Sequence, residues 1–474
     1  MNDALAPVLQ RLRDDLDGAV ERLSALLRIP SISTDPQYRP QTRAAADMLA
    51  DDLATIGFES TVHDTAGQPM VTATCHDHDT DAVGHILYYG HYDVQPPDPL
   101  ELWDSPPFEP TLVDGPHGKR IVARGAVDDK GQLMTFVEAF RAWHHVHGSL
   151  PVNVTVLLEG EEESGSPSLD PFLADNTAAL SADAAVITDT AMWDIDTPAI
   201  TSMLRGLVYI EATLHGPSHD LHSGMYGGAA VNPANELARV LGQLPDDRGV
   251  IRIPHFYDDV REISDAERDQ WMGLGFDEAT FLGHAGLTTA VGEADRSTLE
   301  RIWSRPSCDI NGLWSGYTGE GAKTIIPAYA SAKISCRLVP DQDPVKVYDG
   351  LVAFLHDRTP TDCRWEISSH GKSPAVRVPT DSPYLEAALA GLESVFDRPA
   401  MLIGCGGSIP VAGSFQRLLG MDSLLVGFGL DDDRIHSPNE KFELRCFEMG
   451  MRSQAAMLAK FASVSRAAAG CRGR

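Results

Sequence analysis

The chain has 474 residues, of which 43% are hydrophobic and 22% charged, and its formal net charge is −30. That length is too great for one ordinary core, so two domains are expected. The acidic balance argues against nucleic acid and anionic membrane as partners. The seven cysteines are scattered, with no CxxC pair, so neither a disulfide framework nor a thiolate zinc site is expected. The amphipathic, acidic start and the lack of a long apolar run point to a cytoplasmic protein.

In chain order, apolar residues at helical spacing predict helices over 4–28 and 41–56. Strand-like runs follow (MVTATC, HILYYG, VNVTVLL, AAVIT), interrupted by a helical run from Gly131 to about His147. Strands interleaved with helices predict an α/β fold: a mostly parallel sheet with flanking helices. From Arg205 the texture changes. GLVYIEATL alternates like a half-exposed strand, a helix is expected at 232–243, and a long irregular stretch runs to about 328. YASAKISCRLV alternates again, PVKVYDGLVAFLHDR reads as a helix and RWEISS as a strand. Helices at 383–396 and 441–462 then return to the first texture. The expected organisation is a catalytic domain in two parts, 1–204 and 381–474, with an inserted α+β domain over 205–380.

The chemistry-bearing residues cluster after strand-like runs, where sites form in α/β sheets. His91 and Asp93, in HILYYGHYDVQP, lie two apart. A carboxylate that takes the second imidazole N–H is a usual partner of a metal-binding histidine, and a satisfied His–Asp pair is the alternative. Asp128 and Asp129 open a helix, where capping competes with metal binding. LEGEEESGS packs Glu159, Glu161, Glu162 and Glu163 into five positions. Asp189 follows AAVIT, and His436 follows LLVGFG in DDDRIHSPNEKF. Imidazoles and carboxylates in this mixture suit a pair of divalent transition ions.

Taken together, GHYDVQP, RGAVDDKGQ, EGEEESGS, HDLHSGMYGG, ISCRLVP, GCGGSIP and RIHSPNEKF, in this order, resemble the two-metal aminoacylase/carnosinase/carboxypeptidase G family of metallopeptidases, and most closely its carnosinase-like dipeptidase branch. The resemblance runs from about residue 20 to 460. It implies a zinc-peptidase-like catalytic domain and a lid domain that also dimerises. It implies two divalent metal ions per subunit, zinc first, with manganese or cobalt as alternatives. His91 and Asp189 would hold one ion, Glu163 and His436 the other, and Asp128 would bridge them. Asp93 would orient His91. Glu162 would act as general base on a water shared by the metals. The Asp128–Asp129 peptide would be cis. His222, of DLHSG, would donate to the oxyanion from the lid of a partner subunit, making the active enzyme a homodimer. Arg337 would grip the terminal carboxylate of the substrate, and Gly407 and Ser408 would contact the substrate.

Other signals are weaker. His370, in SSHGKSPA, is a further substrate-binding candidate, with an ordinary lid histidine as the alternative. His215, His219 and His222 have the spacing of a helical zinc trio, but Pro217 and the flanking glycines argue against a helix there. GYTGEGAKT only superficially resembles a phosphate loop, and no GxSxG elbow is present. The expected activity is hydrolysis of the amide bond of dipeptides or short peptides with a free carboxyl terminus. The alternative within the same chemistry is an N-acyl-amino-acid deacylase of the acetylornithine or succinyl-diaminopimelate type. A non-catalytic metal-binding protein on the same scaffold is the alternative from another class.

Overall fold

The structure is a computed structural model that describes residues 2–78, 83–407 and 409–464. The chain divides into two compact units. One comprises Met1–Ser202, Val378–Ile403 and Ile409–Arg474. The other comprises Met203–Arg377 and a short return that begins at Gly404. The principal strands, in chain order, are β1 (Glu59–His63), β2 (Met70–Cys75), β3 (His85–His91), β4 (Asn153–Glu159), β5 (Ala184–Ile187), β6 (Ala199–Leu204), β7 (Gly206–His215), β8 (Ser307–Ser315), β9 (Tyr329–Leu338), β10 (Arg364–Ser373) and β11 (Ser423–Leu425).

In the first unit the sheet runs β1-β2-β4-β3-β5-β11-β6. Its centre is parallel: β3 pairs with β4 and β5, and β11 pairs with β5, all in parallel. Antiparallel strands extend it on both sides, with β2 on β4 and β6 on β11. Every residue of β3, β4 and β5 is buried, as expected for strands covered on both faces. The helix Lys130–His147 covers β3 through Phe140, whose ring stands edge-on to Tyr88 with centroids 4.9 Å apart. Trp143 of that helix donates its indole N–H to the Ala455 carbonyl at 3.1 Å, tying it to the helix Leu444–Phe461. The amino-terminal helical stretch is divided at Asp15 into Asn2–Asp14 and Leu16–Leu27; Asp15 donates its N–H back to Arg11 O (3.1 Å) and accepts the Ala19 N–H (2.9 Å).

The second unit holds an antiparallel sheet in the order β8-β9-β7-β10. β7 alternates buried and half-buried along all ten residues, so one face packs and the other is partly open. Val208, Ile210, Ala332, Ile334 and Cys336 form the packed face, with Leu237, Leu351 and Phe354 completing the core. The last three come from the helices Pro233–Leu241 and Pro344–His356, each started by an N-cap side chain, Asn232 and Asp343. The stretch expected to be irregular up to 328 contains three short helices, Asp265–Met272, Glu278–His284 and Thr298–Trp303, as well as β8. The first and third are nucleated by capping boxes, Ser264 with Glu267 and Ser297 with Glu300.

Candidate active site

Three central parallel strands end at one cluster. His91 is the last residue of β3, the Glu161–Glu163 turn follows β4, and Asp189 lies two residues past β5. Asp128 precedes the helix Lys130–His147, across a cis Asp128–Asp129 peptide. His91 Nε2 lies 3.1 Å from Asp128 Oδ1 and 3.9 Å from Asp189 Oδ2. His436 Nε2 lies 2.9 Å from Asp128 Oδ2 and 3.2 Å from Glu163 Oε2. One atom from each of His91, Asp128 and Asp189 falls within 4.8 Å of the others, and the same holds for Asp128, Glu163 and His436. Asp128 belongs to both groups, one oxygen facing each imidazole. His91 is fully buried, whereas the His436 side chain is 53% exposed, so the second group is the more open to solvent.

The surrounding hydrogen bonds fix these positions. Asp93 accepts the main-chain N–H of Glu162 (3.2 Å) and of Glu163 (3.0 Å). Its Oδ1 is also 3.4 Å from His91 Nδ1, so one buried carboxylate orients both the imidazole and the glutamate turn. Gln95 donates to Glu163 Oε2 at 2.8 Å. Glu161 turns away from the cluster and accepts from the N–H groups of Gln68 (2.6 Å) and Ser168 (3.0 Å). Glu159 accepts from Tyr89 Oη at 2.6 Å. The four glutamates of LEGEEESGS therefore divide: Glu159 and Glu161 are buried and serve the fold, while Glu162 and Glu163 face the cluster. The turn closes through Gly165 in the left-handed region (φ 88°), where glycine has no steric penalty. Asp129 makes no capping hydrogen bond and instead accepts the His91 N–H at 3.1 Å.

Glu440 carried no assigned role in the sequence reading. It is fully buried and accepts from the N–H groups of Gly125 (3.0 Å), Val127 (3.0 Å) and Asp128 (3.2 Å), and from Arg124 Nη1 (2.7 Å). It thereby holds the turn that presents Asp128. A carboxylate in an acidic chain gives no local sign of such a task. The one sequence signal is that Arg124 stands in the apolar run IVARGAV, and an arginine buried with such a run needs an acid to meet it.

The donor set fits divalent cations. Burial pushes the Asp189 carboxyl well above its usual range, with Asp129 and Asp128 adding to the effect against the opposing pull of His91. The hydrogen bonds of His436 to Asp128 and Glu163 raise its imidazole to about 10. Burial opposes protonation of His91, yet Asp128 and Asp93 outweigh it and raise its pKa well above the ordinary value. Protons and a divalent ion would compete for these residues, the usual linkage of metal binding to pH.

In the second unit, Arg337 lies near the end of β9 with its side chain on the half-buried face of the sheet. His370, in β10, shares that face: its ring lies 5.4 Å from that of Tyr209, tilted by 51°, and its Nε2 is 3.6 Å from Glu211 Oε2. Gly407 accepts the Arg205 N–H at 3.0 Å. Ser408 lies outside the described residues. His222 is exposed and accepts the Gly224 N–H on Nδ1 at 2.9 Å, leaving Nε2 without a partner among the described residues. His215 ends β7 against Glu366 at 3.0 Å, and His219 meets Ser218. Among the described residues, the three histidines do not form a metal-binding group.

Comparisons with known proteins identify the family of the chain. A profile described as Peptidase family M20/M25/M40 matches residues 87–460. The Cys-Gly metallodipeptidase DUG1 of Candida albicans is 32% identical over 469 residues, covering 95% of this chain and 96% of that protein. The human Beta-Ala-His dipeptidase is 28% identical over 97% of this chain and 93% of that protein. Among solved structures, the M20 family metallo-carboxypeptidase Sso-CP2 of Sulfolobus solfataricus superposes with a TM-score of 0.82 at 31% identity, over 94% of this chain and 99% of the other. The two groups meeting at Asp128 and the match across most of the chain lead to one conclusion: this protein is a metallopeptidase and belongs to peptidase family M20/M25/M40.

Proposed function

We propose that the protein hydrolyses the amide bond of dipeptides, or of short peptides with a free carboxyl terminus, using two divalent ions bridged by Asp128. The observation that carries this reading is the sharing of Asp128 between two ligand groups beyond the ends of the central strands. The relatives named above act on dipeptides or are carboxypeptidases by their names, which favours peptide substrates over the N-acyl-amino-acid alternative.

His91, Asp128 and Asp189 would hold one ion, and Asp128, Glu163 and His436 the other. Zinc is the first choice, and manganese and cobalt suit the same donors. When bound, the pair supplies Lewis acidity at the scissile carbonyl and acidifies water. Glu162 stands next to a ligand and is held at its own N–H by Asp93. Burial, with Asp93, Glu163 and Asp128 around it, lifts its carboxyl to about 7 against the attraction of His91. From that place it takes a proton from the attacking water on a carboxylate oxygen and returns it to the leaving amine. His222 would donate to the developing oxyanion from the partner subunit of a homodimer. Arg337 would bind the substrate carboxylate through its planar fork, with Gly407, Ser408 and His370 lining the substrate.

The test is a panel on zinc-loaded enzyme that pairs dipeptides with the matching N-acetyl amino acids, together with Glu162→Gln. Dipeptides are expected to turn over. The variant should keep both metals and lose about 10²–10⁴-fold in kcat. Absence of dipeptide turnover would sink the substrate assignment, and full activity in the variant would sink the role of Glu162.

A further inference from the structure

Arg337 has a neighbour of the same charge. Arg205 immediately precedes β7, and Arg337 pairs in register with Leu207 on one side and with Ser307 of β8 on the other. The Arg205 guanidinium comes within 3.5 Å of Ser307 Oγ, at Nη1. A side chain that starts just before β7 and reaches Ser307 of β8 spans the end of the intervening β9, where Arg337 is the residue paired with Ser307 and close enough to act on Arg205. Both arginines lie on the half-buried face. Neither forms an ion pair among the described residues, in a chain with 68 acidic side chains. The remaining contacts of Arg205 are to uncharged oxygens: Nε approaches Gly406 O at 3.4 Å, and its N–H donates to Gly407 O at 3.0 Å.

Two adjacent half-buried cations without a counterion lose hydration and repel each other, so folded chains keep such pairs apart or supply an anion. Burial, and then Arg337, lower the Arg205 guanidinium to about 10. Asp309 is the carboxylate that opposes this shift, but it accepts from Ser307 Oγ at 3.3 Å and forms no ion pair with either arginine among the described residues. The missing charge is therefore that of a ligand, and a carboxylate fits two planar forks.

We infer that Arg205 is a second guanidinium for the substrate carboxylate, so that the carboxyl end is read by a two-arginine clamp with Arg337. This rests on the dipeptidase reading above. The Arg205 backbone, fixed to Gly407, holds one arm of the clamp on the glycine-rich loop. Loss of Arg205 is then a loss of ground-state affinity for a carboxylate and leaves the chemical step intact.

The experiment compares a dipeptide with its C-terminal amide on zinc-loaded wild type, Arg205→Met and Arg205→Lys. In Arg205→Met, KM for the acid is expected to rise about ten- to hundredfold, the loss of a charge-assisted hydrogen bond, with kcat within about twofold and KM for the amide unmoved. Arg205→Lys, which keeps the charge and loses the fork, should fall between the two and carries the comparison if the methionine variant does not fold. Equal losses for acid and amide, or a fall in kcat at unchanged KM, would overturn the clamp and leave Arg205 as a loop anchor. Wild-type turnover of the acid tests the dipeptidase reading by itself. Titration calorimetry of glycine against glycinamide reads the clamp without turnover. A preference for glycine that survives in Arg205→Met would overturn it.

Discussion

The carboxylate of Asp93 holds the main chain of Glu163, accepting its N–H at 3.0 Å, while the other carboxylate oxygen takes the N–H of Glu162 at 3.2 Å. Asp93 follows β3 and the glutamates follow β4, so one side chain ties together two strand ends that each deliver site residues. Because it also approaches His91 Nδ1, its removal is felt on both sides of Asp128. Asp93→Asn keeps the shape but has only one accepting oxygen, so at least one N–H loses its partner. The expectation is a 10–100-fold loss of metal affinity, the size typical for carboxylates behind a metal-binding histidine, and a parallel fall in kcat. Zinc competition titration checks it, and unchanged affinity would remove Asp93 from the metal site.

Glu440 makes the corresponding prediction for Asp128. It satisfies three N–H groups of the Gly125–Asp128 turn and neutralises Arg124, which is 1% exposed. Glu440→Ala strands a buried guanidinium and three donors, at a cost of about 3–5 kcal/mol for the broken buried pair alone. Glu440→Gln keeps one accepting oxygen and should lose less. Chemical denaturation of the two variants reads the difference. Equal stability of both with wild type would show that the turn is held by other contacts.

Much of this site was legible because its parts are local. His91, the glutamate turn and Asp189 each follow a short apolar run, and a charged residue at the end of such a run is visible without knowing the fold. The task of Glu440 was not legible, since its partner Gly125 is 315 residues away. Glu159 and Glu161 were unassigned for the same reason: their partners Tyr89 and Gln68 lie on other segments. In the second unit, β8 is not legible because it is an edge strand with no fully buried residue and no clean alternation. The helices at Asp265–Met272 and Thr298–Trp303 are too short for periodicity to stand out, yet both begin with a Ser-x-x-Glu box that a search for caps would have found. The return of the chain to the second unit at Gly404 has no counterpart in the sequence reading. That return follows from pairings invisible in sequence, among them Arg205 N–H to Gly407 O, and from the absence of a side chain at Gly404, where a Cβ would meet Trp303 Cβ at 2.6 Å.

Metal removal should weaken the fold. Asp128, Glu163 and Asp189 share one small region with Asp93, Asp129 and Glu162, and burial and mutual repulsion push the carboxyls of Asp129, Glu162 and Asp189 up. A ligand present at 100 times its Kd stabilises the folded state by about 2.7 kcal/mol per site. Thermal unfolding with zinc against chelator is therefore expected to separate the two forms, with the chelated protein melting lower. Coincident melting curves at saturating zinc would mean that the two groups do not bind it in the folded protein.

His222 gives the sharpest test of the dimer. Its side chain is exposed, Nδ1 is occupied by the Gly224 N–H, and Nε2 is free to donate to a group outside its own turn. If it serves the partner's site, His222→Ala retains both metals and loses turnover. So does Glu162→Gln, for a different reason. Mixing the two inactive variants under conditions that exchange subunits then rebuilds one complete site in each heterodimer: the His222→Ala subunit keeps its Glu162 and receives His222 of the partner subunit. Random exchange at equal amounts should restore about one quarter of wild-type activity, because half the dimers are mixed and each has one working site of two. Restoration requires that the histidine act across subunits. If His222 served its own subunit, every site in the mixture would still lack one group and activity would stay at the level of the separate variants.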